Sequence, residues 1–197
     1  MLPPIAGFLN PKHILREKMK AVRAGAASAR PDAARHAAAH FLARMAFAPG
    51  AVIALYHPLK DELDTGLLAS SLRERGARLA LPVIISRNAP LTFRAHDGEA
   101  PLVAGRFGTM TPPAAAPTLR PDIIVVPLLA FTPRGDRLGY GGGYYDRTLA
   151  ALRVGGEVLA VGFGYGAQEV DALPSGPLDQ RLDWVVTERR AVRTTST

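Results

Sequence analysis

The run Arg137-Leu-Gly-Tyr-Gly-Gly-Gly-Tyr-Tyr-Asp-Arg147 concentrates the chain's chemistry. Glycines at 139, 141, 142 and 143 leave backbone N–H groups unshielded by side chains. Such amides, running into a helix N-terminus, make a cradle for an anion such as phosphate. Asp146 falls in the first turn of that helix, where a carboxylate can hold magnesium against phosphate oxygens. Arg137 and Arg147 bracket the run with positive charge. A flexible turn followed by a dipole-complementing acid would need the same residue types. The run is not a Walker A loop, because Gly-Lys-Ser/Thr is missing. It is not G-x-G-x-x-G either: the third glycine is replaced by Tyr144 counting from Gly139, and by Asp146 counting from Gly141. A later stretch, Gly162-Phe-Gly-Tyr-Gly-Ala167, does match G-x-G-x-x-A. Only about 30 residues follow it, interrupted by Pro174 and Pro177, too few for the further βαβ units of a dinucleotide fold.

A second set of cations lies near the start of the chain. Lys12, Arg16, Lys20 and Arg23 recur at i, i+4, i+8 and i+11 and share one face of a helix expected over residues 11–25. Leu15, Met19 and Val22 make its apolar stripe, Pro11 suits its first turn and Gly25 its stop. The cationic face is a solvated surface or a phosphate contact. His36 and His40 stand at i, i+4, but no third ligand or H-E-x-x-H pattern accompanies them, so surface positions are expected. There is no cysteine, which excludes disulfides, thiolate metal sites and cysteine nucleophiles. Phe131 and Phe163 follow apolar runs and are expected in the core rather than on a ligand wall, and the sequence assigns Trp184 no role.

These groups need a scaffold, and the pattern supplies one. A second helix is expected over residues 31–48, with Asp32 at its positive end. Buried strands are expected at 51–56 (AVIALY), 79–86 (LALPVIIS, with Pro82 marking an edge or bend), 91–95, 123–127 (IIVVP), 158–163 and 184–187. Asp64 and Thr65 can cap a helix reaching about residue 75, and another is expected over 144–153. Residues 96–121, rich in Pro, Gly and Ala, read as a long surface segment. Strands alternating with helices argue for an α/β fold with a mainly parallel sheet, whose ligands sit beyond the carboxyl ends of the strands.

The chain has 197 residues, 48% hydrophobic and 21% charged, as an ordinary globular domain has. One domain spanning 1–197 is expected. No apolar run approaches the roughly 20 residues of a membrane span. Residues 1–10 carry no signal-peptide pattern, so a cytoplasmic protein is expected. The net charge is +7, and residues 1–50 hold eight Lys/Arg against two Asp/Glu. That basic end suits nucleic acid, an anionic surface or a phosphorylated small molecule, or is simply a basic helix pair in solvent. No helix-turn-helix, zinc-finger or RNA-recognition motif supports nucleic acid.

Four motifs in order carry a family resemblance. They are Lys12-His-Ile-Leu-Arg16, Lys60-Asp-Glu-Leu-Asp-Thr65, the glycine run preceded by Pro127-Leu-Leu-Ala-Phe-Thr-Pro-Arg-Gly-Asp136, and Asp179-Gln-Arg-Leu-Asp-Trp-Val-Val-Thr-Glu188. Together they resemble the 5-formyltetrahydrofolate cyclo-ligase (methenyltetrahydrofolate synthetase) family over most of the chain. The resemblance implies a three-layer open, mainly parallel sheet flanked by helices, with the methenyltetrahydrofolate synthetase-like (CoA transferase-like) topology. It implies ATP- and Mg2+-dependent cyclisation of 5-formyltetrahydrofolate to 5,10-methenyltetrahydrofolate, with ADP and phosphate released through a phosphorylated formyl group. Lys12 and Arg16 would contact ATP phosphates as the catalytic cations. Arg137, Leu138, Gly139, Tyr140, Gly141, Gly142, Gly143, Tyr144 and Tyr145 would wrap ATP, and Tyr140 to Tyr144 would also touch the folate. Glu62 would accept hydrogen bonds from the pterin, and Asp146 and Asp179 would ligate magnesium. Tyr144 is expected to face ligand and Tyr145 to be partly structural. A monomer or weak dimer is expected, with no nucleic-acid or membrane partner. The run Ser175-Gly-Pro-Leu178 departs from the family, which has an acidic residue and a histidine there. The alternative is a nucleotide- or RNA-binding module on the same fold without ligase activity.

Overall fold

A computed structural model describes residues 11–195 of the chain; residues 1–10, on which the signal-peptide reading rests, lie outside them. Helix α1 (Pro11–Ala29) and helix α2 (Ala33–Arg44) precede strand β1 (Val52–Ala54), helix α3 (Gly66–Glu74) and strands β2 (Arg78–Val83) and β3 (Thr92–Ala95). Two-residue strands β4 (Val103–Ala104) and β5 (Met110–Thr111) form a hairpin around a short 3-10 turn. Strand β6 (Ile123–Pro127) leads into a second small hairpin, β7 (Ala130–Phe131) and β8 (Arg137–Leu138). Helix α4 (Tyr144–Val154) and strands β9 (Leu159–Phe163), β10 (Trp184–Val186) and β11 (Ala191–Arg193) complete the order.

The main sheet has seven strands in the order β11-β10-β9-β6-β1-β2-β3. The five inner strands run parallel, and β3 and β11 pair antiparallel at the two edges. Period-2 alternation divides β6 between two cores. Ile123 and Val125 face the cluster built with α2 and α3, through Phe41, Leu68 and Leu72. Ile124 and Val126 face the cluster that takes Leu149 of α4. A sheet covered on both faces buries its strands as near-continuous apolar runs, which is why IIVVP reads so clearly. The result is the expected three-layer α/β architecture.

Helix α1 packs elsewhere. Its stripe of Leu15, Met19 and Val22 lies against Leu129, Ala130 and Leu138 of the β7–β8 hairpin, with Met19 2% exposed. Burying a methionine that far is worth about 1.5–3 kcal/mol, enough to fix the helix's rotation about its own axis. Gly25 does not stop this helix. A Cβ there would meet nothing, and the following Ala26, Ala27 and Ala29 are strong helix formers, so the helix runs to Ala29.

Other boundaries differ for local reasons. Helix α2 is shorter than its alanine content predicts, and Asp32 makes no capping hydrogen bond; it pairs with Arg35 and His36 instead. Thr65 is the N-cap of α3 but its hydroxyl donates to the Tyr56 carbonyl, and Asp64 just before it accepts the Gly66 N–H at 2.7 Å. Pro82 stands inside β2 but beyond the register that pairs with β1, so its missing N–H breaks no parallel ladder. The G-x-G-x-x-A stretch opens only a three-residue 3-10 turn. A Cβ on Gly162 would lie 2.6 Å from Leu182 Cδ1, so that glycine serves close packing.

Candidate active site

Strand order reverses between β1 and β6, since the chain moves from β1 outward to β2 and from β6 outward to β9. In open α/β sheets the crevice at such a switch point, beyond the carboxyl ends, is where ligands bind. The loop after β1 carries Glu62, and the β7–β8 hairpin after β6 delivers the glycine run to the N-terminus of α4. Helix α1, held on that hairpin, brings its cations to the same place.

The glycine loop is tied at both ends by arginines. Arg16 Nε donates to the Gly139 carbonyl at 2.9 Å, and Arg147 Nη2 donates to the Gly142 carbonyl at 2.8 Å. Gly143, at φ +64°, is the N-cap of α4. Among the described residues, the N–H groups of residues 140–146 donate to no protein acceptor. These amides stand at the positive end of an eleven-residue helix, an arrangement that could hold an anion. Leu138 contributes no side chain to it: it is 3% exposed and packs on Met19.

Lys12 Nζ lies 2.9 Å from Asp179 Oδ2, which also accepts the Gly176 N–H at 2.7 Å. Burial acts to raise the Asp179 carboxyl, but the hydrogen bonds from Lys12 and Gly176 and the charges of Lys12 and Arg137 outweigh it and leave it below the usual carboxylate range. Asp146 Oδ1 accepts from Arg137 Nη2 at 2.8 Å and from the Gln180 N–H at 2.9 Å. Arg137 also donates to the Gln180 carbonyl, so residues 179 and 180 are bound to the start of α4. A polar cavity of about 120 Å³ opens here, lined by Arg137, Gly176, Asp179 and Gln180 among others. No group of three or more His, Asp or Glu side chains forms a metal site among the described residues. Mg2+ commonly takes one or two carboxylates together with substrate phosphates and water, and Asp146 and Asp179 suit that donor set.

Glu62 is buried, 8% exposed, and so is not a solvated acid in a polar turn. Its Oε2 accepts the Leu59 N–H at 2.9 Å, and its Oε1 faces Arg23 Nη1 at 3.4 Å. Burial raises the Glu62 carboxyl above its ordinary value, while the Leu59 N–H, the Arg23 charge and a hydrogen bond from Tyr140 pull the other way. Tyr140 therefore spans two pieces of the site: its neighbours Gly139 and Gly141 contact Arg16, and its hydroxyl meets Glu62.

Tyr144 and Tyr145 are both partly buried against the α4 side of the core, with different polar neighbours. The Tyr144 ring stacks against the Arg147 guanidinium at 5.0 Å and lies 6.3 Å from the ring of Phe107 at the β4–β5 tip. Tyr145 is sunk among protein groups, and burial followed by the Glu62 charge pushes its hydroxyl far above the ordinary range. Phe131 and Phe163 are core residues, 3% and 1% exposed. His36 and His40 make no metal pair; His40 Nδ1 contacts the Thr187 carbonyl at 3.0 Å. Two contacts escaped the sequence reading. Arg23 turns inward to Glu62 rather than lining the cationic face, and Phe107, 69% exposed, stands beside Tyr144. Neither has a signal in local spacing, because the partners lie 39 and 37 residues away in the chain.

The model of the 5-formyltetrahydrofolate cyclo-ligase family matches residues 9–188. A 5-formyltetrahydrofolate cyclo-ligase of Mycolicibacterium smegmatis is 34% identical over 150 residues, covering 73% of this chain and 76% of that one. The protein of that name from Escherichia coli K12 is 35% identical over 140 residues, covering 68% and 76%. Among solved structures, the NMR structure of Aquifex aeolicus 5,10-methenyltetrahydrofolate synthetase aligns with a TM-score of 0.78 at 29% identity, covering 94% of each chain. A Mycoplasma pneumoniae 5,10-methenyltetrahydrofolate synthetase shares the fold, with a TM-score of 0.71 at 24% identity over 91% of this chain and 99% of that one.

Proposed function

The chain belongs to the 5-formyltetrahydrofolate cyclo-ligase family, and on that premise we propose that it converts 5-formyltetrahydrofolate and ATP to 5,10-methenyltetrahydrofolate, ADP and phosphate. The observation that carries this reading is Tyr140, which joins an anion cradle to a buried carboxylate. A triphosphate and a pterin need those two environments side by side.

The chemistry explains why so little acid–base machinery is required. A formyl group on nitrogen is a poor electrophile. Its oxygen attacks the γ-phosphorus, ADP departs, and the oxygen becomes part of a leaving group. The neighbouring folate nitrogen then attacks the formyl carbon and gives up its proton. Phosphate leaves with the former formyl oxygen, and the five-membered ring is closed. Both steps depend on positioning and on neutralising phosphate charge.

The residues divide that work. Lys12 and Arg16 supply positive charge from α1, and the amides of Gly141, Gly142 and Gly143 supply fixed donors. The pterin's amino and ring N–H groups are donors, which suits ionised Glu62 as their acceptor. Tyr144 presents an aromatic face beside the loop. Asp146 and Asp179 would hold Mg2+, whose charge would offset that of the phosphates.

The test is turnover. Purified protein given 5-formyltetrahydrofolate and Mg-ATP accumulates the near-ultraviolet absorbance of the methenyl product and releases ADP in equal amount. Folded protein that produces neither contradicts the proposal.

A further inference from the structure

Arg23 sits outside every motif that the family resemblance names. It comes from the fourth turn of α1, yet it is 4% exposed and closes a buried ion pair with Glu62 at 3.4 Å. Its guanidinium also lies 5.5 Å from the centre of the Tyr140 ring, within cation–π range. Its Nε is buried with no hydrogen-bond partner among the described residues. A buried guanidinium with an unsatisfied N–H is costly, so a residue of this kind is kept for what its charge does to its neighbours. Here those neighbours are Glu62 and Tyr140, the two side chains at the junction of the carboxylate and the glycine loop.

We infer that Arg23 is a positioning residue for folate recognition: it holds Glu62 as an oriented carboxylate and seats Tyr140 over the junction. The inference rests on the proposed role of Glu62 toward the pterin. Burial acts to raise the Glu62 carboxyl, and its protonated form would lose one of the two acceptor oxygens that a pair of pterin donors needs. The groups facing it are Arg23 from α1, the Leu59 N–H from its own loop, and the hydroxyls of Tyr140, Tyr145 and Tyr56. The tyrosines are held above their ordinary values, chiefly by burial and then by the Glu62 charge, so they stay neutral where Glu62 titrates. Arg23 is therefore the cation in this set. Without it the Glu62 carboxyl rises further, and the carboxylate is regained only at higher pH.

The experiment compares Arg23→Met, Arg23→Lys and the wild type in the methenyl-formation assay across the acid range. Arg23→Met is expected to raise the KM for 5-formyltetrahydrofolate about tenfold or more at neutral pH, since loss of one buried charge partner moves a carboxyl by about a unit or more. The acid limb of kcat/KM for the folate moves upward by the same shift, while the KM for Mg-ATP stays within about twofold. Arg23→Lys keeps the limb closer to wild type. The paired variant Arg23→Met/Glu62→Gln removes both charges together and so folds even where the single change does not. In that background the limb is expected to vanish, and restoring Arg23 to Glu62→Gln restores neither limb nor affinity. An Arg23→Met enzyme with unchanged folate KM and acid limb overturns the inference. So does an unstable Arg23→Met together with a Glu62→Gln variant that keeps the wild-type limb. A wild-type protein without turnover is a different result, because it removes the cyclo-ligase reading itself.

Discussion

Gly141 adopts φ +96°, and a Cβ placed there would come within 3.1 Å of the Arg16 guanidinium carbon. Two demands meet at this residue: a backbone conformation that side chains resist, and close approach of a cation to the loop. Gly141→Ala is expected to cost about 1–3 kcal/mol of stability from the strained backbone. It is also expected to weaken nucleotide affinity about tenfold or more by displacing Arg16, because phosphate contacts of this type are individually that strong. Urea unfolding and a nucleotide titration on the same variant check both parts, and wild-type affinity in a destabilised variant would separate the loop's geometry from its proposed task. The sequence made Gly141, Lys12, Arg16 and Glu62 legible because each lies in a short run whose residue types imply a job. It made Arg23 illegible for the opposite reason. At i+11 from Lys12 it falls on the cationic face, and nothing nearby announces the acid that turns it inward.

At the scale of elements, α1 does the positioning. Its first turns are held by a seam of Leu15, Met19 and Val22 on the β7–β8 hairpin, and Ala26 near its end joins the core on the α2–α3 side of the sheet. The same hairpin carries the glycine run, so a single small cluster fixes cations and cradle relative to each other. Met19→Ala is expected to lose about 2–5 kcal/mol. Its fuller consequence is functional: Lys12 and Arg16 lose their register against Gly139 and Asp179, so the Mg-ATP requirement rises even at temperatures where the variant is folded. A variant destabilised to that extent with unaltered nucleotide affinity would show that the seam only supports the fold. The apolar stripe announced this seam, and short apolar runs announced the inner strands. Strands β4, β5, β7 and β8, two residues each, carry too few positions to show a period, and β11 is only three residues long. The helix extension past Gly25 was hidden because a glycine on an open face costs only about 1 kcal/mol, which an alanine-rich continuation offsets.

For the whole molecule, the fold places its exception at the place of use. The strand order turns back between β1 and β6, and the loops leaving these two strands carry the acid and the cradle. Most basic residues of the first 50 have a partner within the protein, Arg23 in the interior and Lys20, Arg30 and Arg35 at the surface. Lys12 meets Asp179, Arg16 the Gly139 carbonyl, Lys20 Glu17, Arg23 Glu62, Arg30 Glu188 and Arg35 Asp32. No helix among the described residues is long and apolar enough to cross a membrane. The central claim is that bare amides of residues 141–143 and the cations of α1 together grip a triphosphate beside Glu62. Calorimetric titration of Mg-ATP into the wild type and a Lys12→Ala/Arg16→Ala variant tests it most directly. Saturable one-to-one binding by the wild type, weakened at least about a hundredfold in the double variant, is the predicted result. Heat that is absent from the folded wild type, or identical in the two proteins, would contradict it.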